Sequence, residues 1–556
     1  MDRRLGPGDV ALTALLPAVR RPAAPRDGGG ALVRPPAARW FAVLPVVFLA
    51  VFFAWPLATI LVRGLTAQGL AVLGSARTWD VVGFTVVQAV LSTVLTLAVG
   101  LPAAYVLHRV DFRGRRLLLV LVTVPFVLPT VVVGSAFRSL LPDSWDGTLA
   151  AILVAHVYFN LAVVVRVVGG LWTHLDDRYE QAARTLGAGP LTVLRTITWP
   201  LLRPAVLAAA ALVFLFTFTS YGVIVVLGGP TTTTIEVEIY RRAATLFDIP
   251  GAAALCLLQV VAVVGVLAVS SRLQRRLDVR QRLARSDAAL HAPRTRLDRA
   301  LVVGVVLLGL AMTLPVLALL RDSLRVRDRW GLDWWAGLGD RGTTTRDVVA
   351  WDSVRVSLTY AVAAVALAVL VGGAAACAVA YTRRGHDLLD SGLMLPLGTS
   401  AVTLGFGLLI TFSVAPLDLR ASWVMVPIGQ ALVAVPLVVR TVLPVLRALD
   451  PRQREAAATL GATPWRAWRT VDVPVLARAL AVGAGFAAAV SLGEFGATSF
   501  LARTDAPTVP VLIGRLLARP GEANVGQAAA LSVLLVVVTA LVMTLTERWR
   551  TSDGGL

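Results

Sequence analysis

Lysine is absent: all 52 basic residues of this 556-residue chain are arginine. A phosphate-binding P-loop needs a lysine to reach the terminal phosphates of a nucleotide, so the chain cannot hydrolyse ATP by that route. Cysteine is scarce as well. Cys256 and Cys377 are the only two, and both fall in apolar stretches, which suits inert packing better than a disulfide or a metal pair. Charge is thin at 15% of residues, against 57% hydrophobic and a mean hydropathy of +0.76. A soluble chain of this size would expose more charge. Sustained apolar–polar alternation is missing too, which argues against a transmembrane β-barrel.

What the sequence does contain is long apolar runs. A hydrocarbon core of ~30 Å takes ~20 apolar residues per helix, and many stretches reach that length. The expected class is an all-α polytopic membrane protein. The net charge of +19 invites a nucleic-acid reading, but the arginines cluster between apolar segments, where anionic lipid and the positive-inside bias favour them. Membrane lipid, and no nucleic acid, is the expected contact. Residues 1–39 read as a disordered basic tail, and the run from Trp40 is too long for a signal-peptide core.

Twelve spans are expected, at 40–62, 81–107, 117–137, 149–171, 204–227, 251–270, 300–320, 357–381, 391–413, 423–446, 479–501 and 527–545. Residues 271–299 carry nine arginines and read as a linker between two six-helix units, 40–270 and 300–546, with 547–556 as a C-terminal tail. Arginine-rich loops after the second and fourth spans, together with the linker, place both termini in the cytoplasm of a multi-pass plasma-membrane protein. The loop 321–352 runs against that rule with six arginines.

The most specific feature is a repeat at an offset of 274 residues. Leu175-Asp176-Asp177-Arg178 leads to Gln181-Ala182-Ala183, Thr185-Leu186-Gly187-Ala188 and Pro190. Leu449-Asp450-Pro451-Arg452 leads likewise to Glu455-Ala456-Ala457, Thr459-Leu460-Gly461-Ala462 and Pro464. The match runs on through Arg195 and Arg469, Thr196 and Thr470, and Pro200 and Pro474, with about half of 31 positions identical. Two polar loops that resemble each other this closely point to a shared partner, because surface loops drift unless something binds them. Ala182, Ala183 and Leu186 lie at helical spacing and form a small apolar face. Gly187 permits a helix stop, and Pro190 suits a helix start. The result is a helix–turn–helix bracket fit for a partner groove.

Glu455-Ala456-Ala457, Gly461 and Pro474 resemble the EAA loop of binding-protein-dependent ABC importer permeases; the first copy departs from it, with Gln181 at the Glu position and Glu180 one residue early. The resemblance spans about 40–545 and implies a type I permease fold with two parallel six-helix repeats. It implies ATPase docking at Gln181, Ala182, Ala183, Gly187 and Pro200, and at Glu455, Ala456, Ala457, Gly461 and Pro474. It further implies an ATP-binding cassette ATPase in two copies and an extracytoplasmic solute-binding protein. The chain itself is then no enzyme and binds no cofactor; the partner uses the ATP. Fused permeases for thiamine or ferric iron are the nearest in kind. Gly228-Gly229-Pro230-Thr231 through Ile235-Glu236-Val237-Glu238-Ile239-Tyr240 resembles thiamine permeases in particular, and Ser491-Leu492-Gly493-Glu494-Phe495-Gly496 resembles the second half's equivalent.

Polar groups inside spans are costly and mark pathway candidates. Glu494 would suit a cationic substrate, though pairing with an arginine or a place at the external interface also accounts for it. Its repeat partner is Ser220, beside Tyr221. His156 and Asn160 share a face of the fourth span at i and i+4, which fits interhelical hydrogen bonds, and the repeat partner of His156 is Gln430. The competing reading is a secondary transporter of the major facilitator type, which also has twelve spans in parallel halves; Asp111-Phe112-Arg113-Gly114-Arg115-Arg116 resembles its signature loop.

Overall fold

The computed structural model describes residues 40–277, 290–293, 295–327, 329–340, 349–382, 386–414, 418–420 and 422–551. The expected tail 1–39, the middle of the linker and residues 552–556 lie outside the described residues. Among the described residues ten helices are long and apolar enough to cross a membrane, and two bent helix pairs bring the crossings to twelve when each pair counts once. The second span, Ala76–Arg109, is 34 residues long, about 51 Å at 1.5 Å per residue, so it tilts or projects beyond the hydrocarbon. Valines such as Val62, Val261 and Val362 face outward, as lipid requires.

Helix starts follow the local chemistry. Ser75 and Thr148 cap the second and fourth spans by accepting from the backbone three residues on. Thr295 and Asp298 form a reciprocal capping box at the seventh. The third span is not the straight rod expected at 117–137. Arg115–Val127 and Thr130–Leu140 meet at 111°. Pro129 has no N–H to continue the ladder and holds Leu128 extended, at φ −68° and ψ 142°. The ninth span bends likewise, by 92° between Leu388–Pro396 and Ala401–Thr411, with Ser400 capping the second limb.

Two further expectations need correction. The fifth and eleventh spans start earlier and stop sooner, as Pro190–Phe218 and Pro464–Gly493, each followed by a short separate helix, Gly222–Leu227 and Gly496–Leu501. Pro200 and Pro474 therefore lie inside rods that have already begun, where the first turns of a straight stretch tolerate proline. The linker is also shorter than 271–299: the sixth span runs on to Leu277, and Arg296 already opens the seventh, Arg296–Leu324. Between them His291 is stitched to the end of the second span, donating to Arg109 O at 3.0 Å and accepting from Asp111 N at 2.9 Å.

The halves exchange arms. The first span, Trp40–Gly64, reaches across to the eighth (Ala350–Tyr381) and to Ala401–Thr411, with Phe52 and Trp55 against Phe412 at centroid distances of 5.6 and 5.5 Å. The seventh span returns the contact, lying against the second span and both limbs of the third.

Candidate functional site

The two brackets fold alike. Asp176 and Asp450 cap the helices Asp177–Thr185 and Pro451–Thr459, accepting from Arg178 N at 3.0 Å and Arg452 N at 2.9 Å. Gly187 and Gly461 end them at φ +84° and +83°, a left-handed conformation open to glycine and resisted by side chains. Ala188 N then reaches back to Ala183 O, and Ala462 N to Ala457 O, both at 3.0 Å, closing the same C-terminal motif. Pro190 and Pro464 restart the chain, and a single π-helical turn at 194–198 and 468–472 leads into the span. Exposure follows one pattern, residue for residue, along 178–190 and 452–464. Gln181, Ala182, Glu455 and Ala456 are exposed, and Ala183 and Ala457 half-buried. Leu186 and Leu460 each stand 89% exposed, a large apolar side chain offered to the surroundings at matched points.

What holds each bracket to its span differs in charge and not in place. Thr198 Oγ1 donates to Glu180 Oε1 at 2.8 Å, tying the bracket helix to the span 18 residues on. At the equivalent positions Arg454 grips Asp472, with Nη2 to Oδ1 at 2.5 Å, and Tyr381 adds its hydroxyl at 2.8 Å. Glu180 is therefore not a displaced copy of Glu455: it fills the place of Arg454 and faces the span. Leu191 and Leu194 of the first bracket are replaced in the second by Trp465 and Trp468, which stack at 4.9 Å. Beside the first bracket lies a cavity of about 1550 Å³, lined by Tyr105, Arg109, Trp172, Gln181, Arg195 and His291 among others.

At the far end of the fifth and eleventh spans lies a second constellation. A Cβ on Gly222 would collide with Thr130 Oγ1, and one on its repeat partner Gly496 would meet Ala401 Cβ at 3.1 Å. These close approaches lock the short helices onto the second limbs of the bent spans. Glu494 sits in the gap before Gly496, buried. Its carboxylate accepts from Ala497 N and Thr498 N, both at 2.8 Å, and from the Thr498 hydroxyl. It caps the short helix, and these donors stand where an arginine partner was also allowed. Ser220, its repeat partner, meets His156 Nε2 at 2.9 Å, while Ser92 meets His156 Nδ1 at 3.0 Å, so His156 joins three segments of the first half. Asn160 Nδ2 donates to His156 O in its own helix at 3.0 Å. Gln430 accepts from Ser491 at 2.6 Å in the second half.

Tyr221 packs directly on its own repeat partner, Phe495, with ring centroids 5.2 Å apart and planes at 27°. Sequence reasoning singled out Tyr221 but missed Phe495. Glu236 stood out in the sequence only as part of the stretch 228–240, with no role of its own. This carboxylate, from the short helix Ile235–Tyr240, is fully buried and reaches from the first half into the second: Gln259 donates to Oε1, and Ser400 donates to Oε2 at 3.1 Å. Burial pushes the Glu236 carboxyl up to about 8 against those two hydrogen bonds. Two residues on, burial would likewise raise Glu238, but hydrogen bonds and charge from Arg241, with Arg242 and Arg77 alongside, hold it below the usual carboxylate range. The structure thus groups the sequence candidates into two places, the paired brackets at one end and the Glu494–Tyr221 junction at the other.

The model of the family described as "Binding-protein-dependent transport system inner membrane component" matches twice, at residues 96–283 and 364–551, together well over half of the chain. The thiamine transport system permease protein ThiP of Brucella abortus is 28% identical over 84% of this chain and 87% of its own length. That of Escherichia coli is 27% identical over 86% and 90%. A solved bacterial ABC transporter involved in import of the acidic polysaccharide alginate matches 43% of this chain and 96% of its own at a TM-score of 0.40. The doubled family match overturns the major facilitator alternative suggested by Asp111–Arg116. Two such units fused in one chain make a transporter subunit and not an enzyme, and this protein belongs to the binding-protein-dependent inner membrane components as the permease subunit of an ABC importer.

Proposed function

We propose that this permease imports thiamine, driven by a separate ATPase whose subunits grip the two brackets. The observation that carries the coupling is the pair of brackets themselves: the same turn, the same exposure and the same outstanding leucine at Leu186 and Leu460. Each bracket runs without interruption into a span, so a pull on it moves one half of the molecule against the other. In this reading the brackets and both termini lie in the cytoplasm, and a solute-binding protein delivers thiamine to the opposite end. The ATPase supplies and uses the ATP, and this chain holds no cofactor. Thiamine is preferred over ferric iron because the relatives matching over most of their length are named for thiamine.

A two-part experiment tests this. A photocrosslinker at Ala182 or Ala456 should capture the nucleotide-hydrolysing subunit, and exposed aspartate in place of Leu186 and Leu460 should release it, as loss of a buried interface anchor costs ~2 kcal/mol or more. Expression with its ATPase and binding protein should restore growth on low thiamine to a strain lacking its own transporter. Crosslinks that find no ATPase would end the docking role; failure to restore growth would end the thiamine assignment.

A further inference from the structure

Residues related by the internal repeat touch one another only on the pseudo-twofold axis that relates the two halves. The stacked rings of Tyr221 and Phe495 therefore mark that axis, at the level where the fifth and eleventh spans break. Both rings are buried, 7% and 6% exposed, so the stack closes the space between the halves. Tyr240 packs on Tyr221 at 5.7 Å and on Phe500 at 5.2 Å, widening the aromatic layer. Two acidic residues, one from each half, flank the stack: Glu494 precedes Phe495 in the chain, and Glu236 is held by Ser400, next to the Ala401 on which Gly496 packs. Their described partners are amide, hydroxyl and backbone donors; among the described residues neither has an arginine or histidine against it. Parallel halves place the route of a solute between them, along the axis. A solute on that route has to part this pair.

We propose that the Tyr221–Phe495 stack is the transit site and the selectivity element of the pore: an aromatic organic cation crosses by inserting its ring between the two, with Glu494 and Glu236 meeting its charge. This rests on the thiamine reading above and assigns the residues that would execute it. The physics is one of exchange. Parting the two rings alone leaves two aromatic faces without a partner. A flat cationic ring restores a stack on both faces and adds cation–π attraction, and its charge is met by the buried Glu494 and by the acceptor oxygens of Glu236. A non-aromatic cation offers the charge without the stack; a neutral ring offers the stack without the charge.

The test uses the complete complex of permease, ATPase and binding protein in proteoliposomes, with thiamine taken up per ATP hydrolysed as the readout. Tyr221→Leu and Phe495→Leu should each lower that ratio about tenfold, as loss of a desolvated cation–π contact implies. Tyr221→Phe and Phe495→Tyr, which keep the rings, should stay within about twofold of wild type. A direct readout of occupancy comes from Phe495→Cys: both native cysteines are buried, so a thiol reagent applied during turnover reports the new position. Thiamine should slow its labelling several-fold, and choline, a cation with no ring, should not. Leucine variants that transport at the wild-type ratio would overturn the proposal. So would ring-keeping variants that fail as badly as the leucine ones, or labelling indifferent to thiamine. A wild-type complex that takes up no thiamine would instead defeat the substrate assignment on which the proposal stands.

Discussion

Arg454 and Asp472 hold the second bracket with a buried ion pair where Glu180 and Thr198 hold the first with a single hydrogen bond. Asp472 is wholly buried and Arg454 half-buried, at 0% and 17% side-chain exposure. Removing one partner strands the other, at a cost of ~3–5 kcal/mol, whereas Thr198→Val forfeits ~1 kcal/mol. Melting the purified protein in mild detergent should therefore find Arg454→Ala and Asp472→Asn strongly destabilised and Thr198→Val barely so; equal small losses would show that the ion pair does not carry the second bracket. Glu236 yields a second prediction. Its folded value of about 8 lies above its ordinary 4.5, so its contribution to stability is whole at low pH and drains away as pH rises through about 8. Glu236→Gln removes that titration. Between pH 6 and 9 the melting temperature of wild type should fall relative to the Gln variant, and parallel curves would mean the carboxyl is not held neutral by its burial.

At the scale of elements the brackets and the breaks decide what moves. Valine at position 461 has to adopt φ near +83°, where a branched side chain costs ~1–2 kcal/mol and loosens the turn. Gly461→Val, and Gly187→Val beside it, should leave the chain in the membrane at near-normal amounts while cutting thiamine uptake several-fold; unimpaired uptake would remove the brackets from the coupling path. The brackets were legible in the sequence because a polar motif recurred at one fixed offset, where hydropathy alone has nothing to say. The breaks were not. Leu128, Thr219 and Phe495 are apolar or small enough for a hydropathy window to run through them, so the third, fifth and eleventh spans read as straight rods. Pro129 and the Ser220–Gly222 stretch were the available hints. Glu494 was found as an intramembrane carboxylate, but its capping role requires the break at Gly493 to be known first. Tyr221 and Phe495 fall at equivalent places in the repeat, yet nothing in a sequence says that repeat partners touch; that follows only from how the halves meet.

The way the halves meet also sets how the whole molecule is held together. Inside a bilayer, apolar surface alone does not drive helices together, because lipid tails are as apolar as leucine; close packing does. The first span lends Phe52 and Trp55 to a pocket at Phe412 in the other half, and the seventh span lies on the second and third spans of the first. Each half on its own is thus missing one arm and carries another with nothing to embrace. The covalent link between them has little to add beyond proximity, since the exchanged arms supply the contacts. A chain split between residues 277 and 290 should accordingly reassemble when both pieces are expressed together, and a tag on one piece should retrieve the other. Each piece expressed alone should be degraded. Combining Trp55→Ala with Phe412→Ala strips the aromatic contact and should weaken retrieval without affecting either piece's insertion. Pieces that accumulate stably alone, or that fail to find one another, would mean the arms are bystanders and that the linker is what keeps this importer whole.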